Sequence, residues 1–303
     1  MANALHALEN EERGFYLAHS VFSDPGDPRR LSSIPREPER LARMVRELLI
    51  HREEAPLFGF DLPDSRRNEA ETRYVSEILR IISERDGMPL TTARPPARRF
   101  AGSCRDFALL FCSLLRATGV PARIRCGFAA YFVPGRNEDH WVAEYWRPET
   151  GWTLVDVQLL APELMDAFGI PFDPMDVPRD RFLVAGAGWR ACRAGEADPE
   201  TFGVSILHLS GMDFVQSNVV RDLAALNKVE VLPWDGWDLA EKVHKDLVDA
   251  ERRLLDEVAE TEVAGGPFHR LRQLFLANPG LRTPSAVISR TTYGGTRTVT
   301  LRS

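Results

Sequence analysis

The sequence predicts an α+β fold: one buried helix feeding an antiparallel sheet, with extra helices at both ends. Three features say so. From Cys104 the apolar residues Phe107, Leu110, Phe111, Leu114 and Leu115 recur at the three- and four-residue spacing of a helix face. Three strand-like runs follow it, "ARIRCGFAAYF" (122–132), "HWVAEYW" (140–146) and "GWTLVDVQLL" (151–160), the last two joined by "RPET". Amphipathic helical periods precede and follow this block.

The elements are read in chain order. Residues 1–38 hold a short helix and then an irregular arm broken by Pro25, Pro28, Pro35 and Pro38. Leu41, Met44, Val45, Leu48 and Leu49 predict a helix from Pro38 to Glu53. Tyr74, Val75, Ile78, Ile81 and Ile82 predict another from Asn68 to Arg85. The stretch "DGMPLTTARPPARRFAG" (86–102) is rich in Pro, Gly and Arg and reads as an extended loop that delivers the chain to Cys104. Ser103 is placed to cap the next helix, with Asp106 as its acidic partner three residues on, and Gly119-Val120-Pro121 stops it.

Beyond residue 160 a long proline-containing connection leads to "VSILHL", read as a strand. Helices are expected over Phe214 to Lys228 and Leu239 to Glu260, and "FHRLRQLFLAN" reads as a short final helix. The charged helix from Leu239 could form a dimer seam or fold back on its own domain. The domain reading is a helical region over 1–90, a catalytic core over 91–165, an extension packed on the core over 166–280, and a flexible, basic tail over 281–303.

The 303 residues carry a net charge of -6, which gives no support to nucleic-acid binding through a general positive field. No stretch has the length of a membrane span or the apolar core of a signal peptide, so a cytoplasmic protein without a membrane partner is expected. Cys104, Cys112, Cys126 and Cys192 show neither a CxxC pair nor a zinc spacing. No metal and no cofactor is expected.

A buried cysteine is ordinarily a small, inert hydrophobe. Cys104 differs from the other three because it occupies the first turn of its helix, where unpaired N–H groups and the helix dipole favour a thiolate. A thiol nucleophile also needs a base and a group that orients the base. If the turn between the second and third strands is a three-residue loop of Arg147, Pro148 and Glu149, His140 and Asp156 fall directly opposite each other on one face. The arginines near the cysteine admit two readings, a solvated basic loop or recognition of an anionic group on a substrate; Arg98, Arg99 and Arg105 are the candidates for the second. Trp141, beside His140, could wall an acyl pocket.

The blocks "GSCRDFALLFCSLLRATGVPARI", "HWVAEYW" and "GWTLVD", in this order and spacing, resemble the core of the transglutaminase-like superfamily, relatives of the papain-type cysteine enzymes. The resemblance spans about residues 95–160. It implies a papain-like core with Cys104 as nucleophile, His140 as general base and acid, and Asp156 as the residue that orients the imidazole. Arg105 stands where animal members usually carry Trp, as in many bacterial relatives, and Val157 replaces a frequent Pro. The family's usual second oxyanion donor, a Trp or Gln upstream of the cysteine, has no counterpart here; Arg98, Arg99, Tyr74, Asn68 or a backbone amide of 91–102 would have to serve. The segment "RDLAALNKVEVLPWDGW" resembles one in bacterial members.

The expected activity is therefore thiol-dependent acyl transfer. The donor would be a peptide, protein or carrier-bound thioester, and the acceptor water or an amine. The alternative is a non-catalytic module of the same fold that binds a peptide or partner protein.

Overall fold

The computed structural model describes residues 8–263 and 267–303. The chain is α+β, and it divides into two compact units: residues up to Ile124 with Val142–Val177, and Arg125–Trp141 with Pro178 onward.

The first unit begins with α1 (Asn10–Leu17) and α2 (Pro38–Leu48). Pro38 takes the first helical position, where its missing N–H costs nothing, and Leu41, Val45 and Leu48 are fully buried along one face. The helix does not run to Glu53 as its pattern suggests. Leu49–His51 peel off as β1 and pair in parallel with β2 (Phe100–Gly102), Leu49 opposite Phe100 and His51 opposite Gly102. Tertiary pairing overrides the helical period there, helped by the β-branched Ile50.

A single turn, α3 (Asp64–Arg67), precedes α4 (Val75–Asp86). The expected helix from Asn68 begins late because Asn68–Glu71 closes as a separate 3₁₀ turn. Gly87 ends α4 at a φ of +64°, a left-handed cap that glycine adopts at little cost. The central helix of the unit is α5 (Cys104–Ala117), against which α2 and α4 pack. Every residue of it through Arg116 is buried.

Three strands follow: β3 (Ala122–Ala129), β4 (Asn137–Arg147) and β5 (Gly151–Val155). β4 and β5 pair antiparallel from Ala143 opposite Val155 to Arg147 opposite Gly151. The connecting loop is thus Pro148, Glu149 and Thr150, one residue later than expected. Gly151 explains the shift: its φ of +81° closes a three-residue hairpin loop in a conformation other residues resist. In the same unit Arg123 on β3 donates to Glu144 on β4 at 2.7 Å and lies 4.0 Å above the ring of Trp152. The unit closes with α6 (Pro162–Phe168).

In the second unit β6 (Phe182–Val184) pairs antiparallel with Gly127–Ala129 of β3. A side chain at Gly127 would collide with the carbonyl of Leu183, so this edge needs glycine. The helix α7 (Ala185–Arg193) lies inside what the sequence presents as a long connection. Its small residues are the reason: Gly186 sits against the backbone of Ala259, and Gly188 against Phe128, so an unremarkable "AGAGWRACR" packs as a close-approach helix.

β7 (Phe202–Val204) runs parallel to Asn137 and Glu138 of β4 and pairs antiparallel with β8 (Leu209–Ser210). The strand expected over "VSILHL" is broken by a 3₁₀ turn at Ser205–Leu207 and by His208 at a φ of +53°. The strand order is β6-β3-β4-β7-β8, with β5 also on β4. After α8 (Met212–Leu226) come β9 (Asp235–Gly236) and α9 (Asp238–Glu241). The long helix expected from Leu239 does not form. Gln216 on α8 donates to the carbonyls of Leu239 and Lys242, and Ser217 to that of Ala240, taking acceptors that helix continuation would need. The helix resumes as α10 (Asp249–Val263) and is followed by α11 (Phe268–Ala277).

The residues expected to form a flexible tail, 281–303, instead make a hairpin of β10 (Ala286–Thr291) and β11 (Gly295–Thr300), and β10 also pairs with β9. The alternation of Val287, Ser289 and Thr291 inward is what the polar composition hides. Among the described residues no helix is long and apolar enough to cross a membrane.

Candidate active site

Cys104 is the first residue of α5, as its capping sequence predicts. Ser103 caps the helix, and both its backbone N–H (2.8 Å) and its hydroxyl (3.2 Å) donate to one oxygen of Asp106. The other oxygen of Asp106 accepts from Arg105 at 3.0 Å, and Arg105 also donates to the carbonyl of Arg73 at 2.6 Å. Gly102 lets the backbone come this close, since a Cβ there would lie 2.9 Å from the Asp106 carboxyl.

A buried charge pair lies at this helix tip beside the sulfur. Burial pushes the Asp106 carboxyl above its ordinary range, while Arg105 and the Ser103 donors pull it back. Ionised, Asp106 is balanced by Arg105. Protonated, it leaves the Arg105 charge next to Cys104. Neither state of this pair places a net negative charge next to Cys104.

Cys104 is 8% exposed, whereas Cys112 and Cys126 are fully buried. Cys192 is partly exposed, but burial of its thiol, with Asp198 adding to it, pushes it up to about 11.

His140, on β4, is buried in an aromatic surround. Its ring lies 4.9 Å from Phe132, 6.1 Å from Tyr131 and 6.3 Å from Phe182, each nearly edge-on. Asp156 follows β5 directly and opens a 3₁₀ turn, Val157–Leu160. One carboxylate oxygen accepts from the Gln158 N–H at 3.1 Å, and its own N–H donates to the Pro174 carbonyl at 2.9 Å.

The expected direct opposition of His140 and Asp156 does not occur. The β4–β5 ladder ends at Ala143 opposite Val155, and one more pair in that register would set Val142 against Asp156. The shift is two residues, caused by the glycine-closed loop.

Of the arginines expected to meet a substrate, Arg105 is fully enclosed and committed to Asp106 and Arg73, so it holds the helix tip instead. Arg99 is also buried, with its guanidinium donating to the Arg94 carbonyl at 2.7 Å and to Glu47 at 2.5 Å. Arg98 is exposed and gives one donor to the Arg85 carbonyl at 3.0 Å. Trp141 is 1% exposed, and its indole N–H has no hydrogen-bond partner among the described residues. Sequence reasoning cast Asp106 only as a cap; its pairing with Arg105 next door was invisible because adjacent helical residues ordinarily face apart.

A model of the transglutaminase-like superfamily matches residues 65–157. The matched segment contains Cys104, His140 and Asp156. A protein-glutamine gamma-glutamyltransferase of Pseudomonas aeruginosa is 33% identical to the chain over 75 residues, 22% of this chain and 11% of the relative. The chain therefore spans about a tenth of that relative's length. A crystal structure of a candidate cysteine protease from Cytophaga hutchinsonii aligns over 52% of this chain and 45% of its own, with 19% identity and a TM-score of 0.33. A likeness at that level settles neither fold nor function. Among the described residues no group of three or more His, Cys, Asp or Glu side chains could hold a metal ion.

Proposed function

We propose that the chain is a thiol-dependent acyl-transfer enzyme with Cys104 as nucleophile, His140 as general base and acid, and Asp156 as the group that orients the imidazole. The observation that carries this reading is the position of Cys104 at the capped tip of α5, beside a charge pair that never opposes a thiolate. Support also comes from the superfamily match, which contains all three residues.

In the proposed cycle the Cys104 thiolate attacks the carbonyl carbon of a carboxamide, ester or thioester, and the negative charge that develops on oxygen needs donors aimed at it. Collapse of the adduct expels the leaving group, which takes a proton from the His140 imidazolium when it is an amine or alkoxide. The product is an acyl thioester on Cys104. A thiolate leaving group departs unprotonated, and His140 then gives its proton to solvent. Water or an amine attacks the acyl thioester, the neutral His140 accepts its proton, and the Cys104 thiolate is released with the acyl group transferred. The donor is a peptide, a protein or a carrier-bound thioester. Arg98 is the arginine left to meet an anionic group on the donor, and Trp141 the aromatic side chain for the acyl pocket.

The test is intact-protein mass spectrometry after incubation with a glutamine-containing peptide and an acyl thioester. We expect a mass increment equal to the acyl group on Cys104, removed by added hydroxylamine or a primary amine, and absent in Cys104→Ala. Unmodified protein with both donor types, or an adduct that persists in Cys104→Ala, would overturn the assignment.

A further inference from the structure

The second unit contains a cavity of about 330 Å³, at the small end of the roughly 300–1,000 Å³ range of ligand pockets. One wall is α8, where Asp213, Ser217 and Arg221 recur every four residues and so share a face. Asp139 of β4 faces it. Adjacent strand residues point to opposite faces, so Asp139 and His140 serve different sides of β4.

The floor of the cavity carries both signs of charge in a fixed arrangement. Asn218 joins them: its amide N–H donates to one oxygen of Asp139 at 2.7 Å, and its carbonyl accepts from Arg221 Nη1 at 3.0 Å. Arg221 Nε donates to the Asp235 carbonyl at 2.9 Å. Asp213 accepts from the His244 N–H through one oxygen. Among the described residues nothing bonds to the remaining groups, Arg221 Nη2 and the second oxygens of Asp139 and Asp213.

The other charged groups around the cavity are already neutralised. Arg290 pairs with Glu241 at 2.5 Å and Lys242 with Glu251 at 2.7 Å. The mouth is apolar: Leu207, Leu209 and Val243 are 42%, 49% and 43% exposed. Burial raises the Asp139 carboxyl to about 6, against the pull of Asn218, Arg221 and His140, although the residue keeps partial exposure.

We propose that this cavity binds a free α-amino acid with an apolar side chain. The ligand carboxylate meets Arg221, its ammonium meets Asp139 and Asp213, and its side chain covers Leu207, Leu209 and Val243. Simpler ligands leave a group unmatched: an amine would leave Arg221 Nη2 without an acceptor, and an anion would face two carboxylates with a single free donor. The assignment is independent of the acyl-transfer reading.

Calorimetric titration of the full chain with L-leucine, 4-methylpentanoate and 3-methylbutylamine tests it, since the last two lack only the amine or the carboxylate. Leucine is expected to bind, with each half-ligand at least tenfold weaker. Asp139→Asn, which keeps the side-chain shape, and Arg221→Gln should each weaken leucine at least tenfold. Arg221 also supports the loop at Asp235, so the Asp139 variant and the ligand series keep the test decisive if Arg221→Gln does not fold. No leucine binding at millimolar concentration, a half-ligand as tight as leucine, or unchanged leucine affinity in Asp139→Asn would overturn the proposal.

Discussion

Two thiols in this chain sit near opposite ends of helices. Cys104 opens α5, where the dipole is positive and the Arg105–Asp106 pair carries no net negative charge. Cys192 lies in the last turn of α7, where the dipole is negative, and its nearby charge is Asp198. Cys192 is the more exposed of the two, yet its thiol is pushed up to about 11. Burial is the larger cause at Cys192 and Asp198 adds to it, while the helix end and the sign of the neighbouring charge differ between the two sulfurs.

The most drastic way to probe that contrast is to remove each sulfur in turn. Cys104→Ala should abolish acyl-adduct formation, a loss of about 10³-fold or more, while Cys192→Ala leaves the rate within about twofold in the same assay. Equal losses would break the distinction. A smaller change attacks the charge pair: Arg105→Gln leaves Asp106 buried without its partner. It should cost about 3–5 kcal/mol of unfolding free energy in urea melts, and raise the pH at which Cys104 becomes alkylatable. An unshifted alkylation profile would show that the helix dipole alone sets the thiol.

The smallest effect is at the other end of the comparison. Because the Cys192 thiol is raised, its thiolate should appear only as the pH climbs toward about 11. Its alkylation rate should rise about tenfold per pH unit below that. Asp198→Asn should lower the midpoint only modestly, since burial is the larger cause. A fall all the way to the ordinary thiol value of about 8.5 would make the carboxylate dominant instead.

The parts of the fold that sequence patterns revealed are those governed by local chemistry. The apolar spacing from Phe107 to Leu115 and the Ser103 cap locate the start of α5 to the residue, and the stop expected at Gly119 falls just past its end at Ala117. What stayed hidden was set by distant contacts. β1 forms because Phe100–Gly102 is there to pair with it, and α7 forms because α10 and β3 accept its glycines. The long helix from Leu239 is broken by side chains of α8 that no local pattern announces. At the candidate site the three chemical residues stand out by type and order, but the β4–β5 register turned on whether Gly151 ended the loop or began the strand, and its positive φ decided that. The burial of Arg105 and Arg99 could not be read from sequence either, since exposed arginine is the ordinary case.

The central claim, an activated Cys104 served by His140, is tested most directly by the pH dependence of iodoacetamide labelling, mapped cysteine by cysteine in the parent protein and in His140→Ala. The account predicts that Cys104 labels well below its unperturbed pKa of about 8.5, ahead of the other three, and that the advantage shrinks in His140→Ala. Labelling of Cys104 no faster than Cys192, and unchanged by the histidine substitution, would contradict it.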